Sequence, residues 1–122
     1  GKGAPKSPGM KYTHYAPDAP VYLVDGTRED VQRFVDEKRK EGKKVGVLTT
    51  EEFVGAYQAD LILSAGRRDN LNTVAQHLYD TLRAFNRSDV DIIFAEMFPE
   101  EGVGLAIMNR LQKAAGHRVL KR

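Results

Sequence analysis

Residues 21–48 read VYLVDGTREDVQRFVDEKRKEGKKVGVL, and this stretch decides the fold. Val21-Tyr22-Leu23-Val24 is a short run of β-prone residues, closed by the turn pair Asp25-Gly26. Thr27 then stands where a helix cap belongs, and Glu29 and Asp30 fall in the first turn, where negative charge suits the dipole. Val31, Phe34, Val35 and Lys38 share one helical face, and Gly42 is a natural stop. Lys43-Lys44 lead into a second apolar run, Val45-Gly46-Val47-Leu48, ending in Thr49-Thr50. Strand, helix and near-continuous apolar strand begin an alternation that argues for a parallel sheet.

The alternation continues outward. Glu51 to Tyr57 read as a short helix, and Leu61-Ile62-Leu63 as a third strand closing in Ser64-Ala65-Gly66. Leu71, Val74, Ala75, Leu78, Leu82 and Phe85 recur every three or four residues and form a broad apolar stripe, capped by Asp69 or Asn70. Val90 and then Ile92-Ile93-Phe94-Ala95 form a fourth strand, ending in Glu96. Pro99, Glu100 and Glu101 are expected to open a last helix, with Leu105, Met108, Leu111 and Ala115 inward and Gly116 as its stop. Val119-Leu120 reads as a brief terminal strand or a frayed end. The expected fold is α/β: a Rossmann-like or flavodoxin-like open parallel sheet with helices on both faces, preceded by an extended linker arm. A central strand order of 2-1-3-4 is expected by analogy with flavodoxin-like sheets. The domains divide as 1–19, the arm, and 20–122, the α/β body.

Composition narrows the function classes. The 122 residues are 41% hydrophobic and 30% charged, the balance of a globular protein with one core. No run approaches the ~20 apolar residues of a membrane span. The absence of cysteine excludes disulfides, thiolate metal sites and cysteine nucleophiles. The formal charge of +2 is unevenly spread: residues 1–17 hold three lysines and no acid, while the body is close to neutral.

Within the body, the loops after the strands contribute Asp25-Gly26-Thr27, Thr49-Thr50, Ser64-Ala65-Gly66 and Glu96 to the carboxyl edge, where ligands of such sheets bind. Neither G-x-G-x-x-G nor G-x-x-x-x-G-K-[ST] is present, so plain turns are the default there. Glu96 with Glu100 and Glu101 is the acidic cluster nearest a strand end, but His14, His77 and His117 are not spaced as its metal partners. Arg67-Arg68 reads as an exposed, solvated pair. No catalytic residue and no metal ligand is assigned to these residues.

The arm is chemically richer. Ser7-Pro8-Gly9-Met10-Lys11-Tyr12-Thr13-His14-Tyr15-Ala16-Pro17 combines stiffening prolines, two tyrosines, a histidine and a lysine, more than a spacer needs. The segment from Pro8 to Pro17 resembles the interdomain linker of the two-domain threonylcarbamoyl-AMP synthases, whose pattern is close to P-G-M-x-Y-x-H-Y-A-P. Position 13 is often arginine there and is threonine here. Ala95 to Leu111 is similar to the end of that family's C-terminal domain.

The resemblance implies a role. The family joins threonine, bicarbonate and ATP, with Mg, into threonylcarbamoyl-adenylate and pyrophosphate, for threonylcarbamoyladenosine in tRNA. Its chemistry resides in an N-terminal YrdC-like domain, whose cleft the linker covers. On that basis the chain is expected to be a C-terminal piece of a cytoplasmic nucleotidyltransferase, inactive alone and holding no cofactor of its own. The YrdC-like domain would be its partner and tRNA only an indirect one. Lys11, Tyr12, His14 and Tyr15 would contact the ATP or pyrophosphate site of that domain, through charge-assisted bonds and stiff aromatic contacts. Two other classes fit the residues less well. One is a regulatory module binding a small molecule or nucleotide at the carboxyl edge; the other is an RNA-facing accessory domain using the arm with Arg67-Arg68.

Overall fold

A computed structural model of the chain describes residues 16–121. Lys11, Tyr12, His14 and Tyr15 lie outside the described residues. Five strands, β1 (Val21–Asp25), β2 (Val45–Thr49), β3 (Leu61–Ser64), β4 (Ile92–Glu96) and β5 (Val119–Lys121), alternate with helices α1 (Arg28–Lys40), α2 (Leu71–Asn86) and α3 (Val103–Ala114). A 3₁₀ helix, Glu51–Ala56, links β2 to β3. All strand pairs are parallel.

The strands lie in the order β3-β2-β4-β1-β5. The expected adjacency of the first two strands is therefore wrong, because β4 sits between them. Period-two alternation selects the face of each residue, but not which strand lies next to which. Only the crossovers decide that: α1 carries the chain past β4 to β2, and α2 brings it back.

The alternation splits the core in two. Val21, Leu23, Leu48, Ile93 and Ala95 point to the face covered by α2 and α3, against Leu78, Leu82, Phe85, Ile107 and Leu111. Val24, Val45, Val47, Ile92 and Phe94 point the other way, against Val31 and Val35 of α1 and against Tyr57. Helices thus cover both faces of an open sheet, as expected. The outer strand β3 is half-buried along its length.

Helix α1 starts as its sequence demands. Thr27 Oγ1 accepts from the Asp30 N–H and Asp30 Oδ2 accepts from the Thr27 N–H, a reciprocal capping box. The box explains Gly26, since a Cβ there would run into the Asp30 carboxylate. The backbone N–H of Thr27 is the chief reason the Asp30 carboxyl is held below its ordinary range.

Helix α3 begins later than expected. Gly102 caps it at φ 58°, so Pro99, Glu100 and Glu101 form a turn before the helix. Of the expected inner face Met108, Leu111 and Ala115 are buried, joined by Gly104 and Ile107, whereas Leu105 is 48% exposed. Asn70 is the N-cap of α2 but makes no side-chain capping bond.

Candidate functional site

The two edges of the sheet are built differently. At the carboxyl edge, β1 leads into α1 on one face while its neighbour β4 leads toward α3 on the other, so the chain parts there. This is the position at which open α/β sheets form a crevice. A cleft of about 400 Å³ opens between them, lined by Gly26, Thr27, Arg28, Phe53, Arg68 and Glu96 among others.

Glu96, the last residue of β4 and in register with Val24, is 6% exposed. Both its oxygens are taken. Tyr57, itself buried, donates its phenol to Oε2, and Arg68 Nη2 donates to Oε1 at 2.8 Å. Arg68 also donates to the Met97 carbonyl at 3.2 Å and lies 4.3 Å above the Phe98 ring. Burial first, and the Glu96 carboxylate second, raise the Tyr57 phenol above its ordinary value, so its proton stays on the phenol oxygen.

Glu52 pins the neighbouring loop. Its carboxylate accepts from the backbone N–H of Arg68 at 2.8 Å and of Asp69 at 3.2 Å. These bonds, Arg68's foremost, lower its pKa to about 2. Arg67 pairs with Asp69 through both Nε and Nη2 at 2.9 Å. The Arg67-Arg68 pair is therefore not the simply solvated pair that the sequence suggested. Arg28 at the cleft mouth lies 3.7 Å above the Phe53 ring. A polar network whose members satisfy one another rigidifies its surroundings. One wall of the carboxyl-edge cleft is accordingly made of side chains that already bond one another.

The acidic cluster does not assemble. Glu96 is buried, while Glu100 and Glu101 are exposed on the turn before α3. Among the described residues no group of three or more His, Asp or Glu is placed to hold a metal ion. His77 and His117 are both exposed. Sequence reasoning missed the Tyr57–Glu96–Arg68 cluster, whose members are 39 and 28 positions apart. A lone glutamate ending an otherwise apolar central strand was the available signal, because a buried carboxylate requires partners.

At the opposite, amino edge, the arm joins the body. Pro17 is buried between exposed Ala16 and Asp18. The Asp18 N–H donates to Asn86 Oδ1, at the end of α2, at 2.9 Å. Ala19 packs against the α2–α3 side of the core, and the Pro20 carbonyl accepts from the Ile93 N–H at 2.9 Å.

These features define the class: a small, doubly wound α/β domain with a strap fastened to its amino edge. The model of the threonylcarbamoyl-AMP synthase C-terminal domain matches residues 1–116, and the chain belongs to that family. A threonylcarbamoyl-AMP synthase from Bacillus subtilis is 58% identical over 96% of this chain and 34% of its own length. One from Pyrococcus abyssi is 46% identical over 95% of this chain and 34% of its own. The chain thus spans about a third of the curated relatives that it matches. A crystal structure of P. abyssi Sua5 complexed with L-threonine superposes with a TM-score of 0.78 at 40% identity, covering all of this chain and 36% of that one. The C-terminal Sua5 domain of a Pyrococcus horikoshii protein superposes at 0.68 and 37% identity, over 88% of this chain and 100% of that one. Among the described residues no helix is long and apolar enough to cross a membrane.

Proposed function

We propose that this chain is the linker arm, residues 1–19, and C-terminal domain, residues 20–122, of a threonylcarbamoyl-AMP synthase. The arm acts as a lid on the N-terminal YrdC-like domain, where threonine, bicarbonate and ATP become threonylcarbamoyl-adenylate and pyrophosphate. That product serves tRNA modification in the cytoplasm. The supporting observation is that the family match begins at residue 1 and runs through the arm into the last helix.

Lys11, Tyr12, His14 and Tyr15 are the residues assigned to the lid. Lys11 and His14 would meet phosphate or pyrophosphate oxygens, whose charge they complement. Tyr12 and Tyr15 would supply rigid aromatic area with a hydroxyl at the tip. A lid that excludes water protects a labile carboxylated amine and orients it toward the nucleotide. A further structure of P. abyssi Sua5 carries alanine in place of a histidine and of the tyrosine after it. His14-Tyr15 is the one place in this chain where a tyrosine follows a histidine.

The test is reconstitution. The chain is added to the separate N-terminal domain, and pyrophosphate release is measured with threonine, bicarbonate, ATP and Mg. The chain should be inactive alone and should raise turnover by the N-terminal domain. A mixture no faster than that domain alone would remove the lid.

A further inference from the structure

We propose that the carboxyl-edge cleft is a ligand site of the domain's own. It takes a small molecule that joins a phosphate or carboxylate to a flat, largely apolar body, and Arg28 holds the anion. The inference goes beyond the lid reading and does not depend on it. At about 400 Å³ the cleft has the size of a small-molecule pocket. Val24, Val31, Phe53 and Met97 give it apolar wall, and Arg28 and Arg68 supply its cations. Arg68 is already engaged: it donates to Glu96 and to the Met97 carbonyl, and so stiffens the wall. Arg28 differs. Among the described residues its guanidinium pairs with no carboxylate and no hydrogen-bond acceptor, yet it is held 3.7 Å above the Phe53 ring. A stacked guanidinium keeps its planar fork of donors available, and that fork matches the oxygens of a carboxylate or phosphate.

The acids around the cleft set the sign of the ligand. Asp25 is paired with Lys121 at 3.1 Å. Asp30 closes the capping box and pairs with Arg33 at 2.9 Å. Glu96 is covered by Tyr57 and Arg68, and Glu52 is engaged by the backbone of Arg68 and Asp69. Glu51 lines a different hollow, beside His77. Glu29 is the remaining acid on the lining, and it is exposed, so its charge is screened and its side chain can turn to water. It opposes an anion weakly. The backbone N–H groups of Arg28 and Glu29 begin α1 and have no partner within the helix, which adds donors beside the guanidinium. A single exposed cation binds a bare anion poorly. The apolar wall is what makes an organic anion the fitting occupant.

Titration of this 122-residue chain at low salt, followed by amide chemical shifts, tests the site. The P. horikoshii C-terminal domain, matched over its whole length, is a chain by itself, so the unit tested is a folding unit. Phenyl phosphate and benzoate are the probes: they share one flat body and differ in the anion, and inorganic phosphate is the control without a body. At least one of the two should move the amides of Gly26, Arg28 and Phe53 saturably, with a Kd below about 1 mM. Which one binds more tightly assigns the anion. Inorganic phosphate should bind about tenfold more weakly than phenyl phosphate. Arg28→Met should weaken binding about tenfold, through loss of a charge-assisted bond, with the rest of the amide spectrum unchanged. Glu29→Gln should tighten it about threefold. No saturable shift with either organic probe up to about 10 mM would overturn the site, as would binding that survives Arg28→Met. Weaker binding in Glu29→Gln would overturn the anionic class of ligand. Turnover is not the readout, so failure here leaves the lid reading standing.

Discussion

The carboxyl and amino edges of this sheet are held together in different ways. The carboxyl edge, where such sheets ordinarily receive ligands, keeps a cleft of about 400 Å³ braced by Tyr57, Glu96 and Arg68, with Glu52 pinning the loop beside them. The amino edge is fastened by a buried proline, a hydrogen bond from Asp18 to Asn86, Ala19 packed on the core and the Pro20 carbonyl bonded to the Ile93 N–H. Yet it is at the amino edge that the chain leading into β1 joins the body.

The contrast is open to attack by substitution, and the largest effect belongs to the carboxyl edge. Arg68→Met removes the cation but leaves Glu96 buried, and should cost about 3 kcal/mol in urea unfolding. A loss below about 1 kcal/mol would mean that the bracing is ornamental. Tyr57→Phe deletes the other bond to the same carboxylate and should cost about 2 kcal/mol.

Acid supplies a third probe. Because the Glu52 carboxyl is lowered from an ordinary 4.5 to about 2, its contribution is present above pH 4.5 and drains away as pH falls toward 2. Melting temperature should decline across that window, and Glu52→Gln should flatten the decline. The smallest effect sharpens the other half of the comparison. Asn86→Ala should cost only about 0.5 kcal/mol of stability, since its bond to Asp18 is exposed. A loss several times larger would make Asn86 a pillar of the fold.

Much of this molecule was readable from its residues. The βαβ unit of residues 21–48, the stripe of α2 and the split of each strand between two faces all follow from periodicity, which local sequence carries in full. Strand order was not readable, because β1 pairs with β4 and β5 through contacts that no local pattern encodes. The start of α3 was misplaced by treating Glu100 and Glu101 as first-turn acids, when Gly102 resets the backbone after them. Met108, Leu111 and Ala115 were rightly assigned inward, but Leu105, in the first turn of α3, is exposed. Arg68 looked like half of a basic loop, because nothing nearby in sequence announces a buried glutamate 28 positions later. The arm stood out by its prolines, tyrosines, histidine and lysine, and the role expected of Lys11, Tyr12, His14 and Tyr15 came from the family resemblance.

Strand order has a consequence for biosynthesis. Val21 to Asp25 emerge early from the ribosome, but their neighbours in the sheet are residues 92–96 and 119–121. The first strand stays single until nearly the whole domain has been translated, and closing contacts of such sequence separation is slow. The strap before it therefore becomes fastened only at the end of translation.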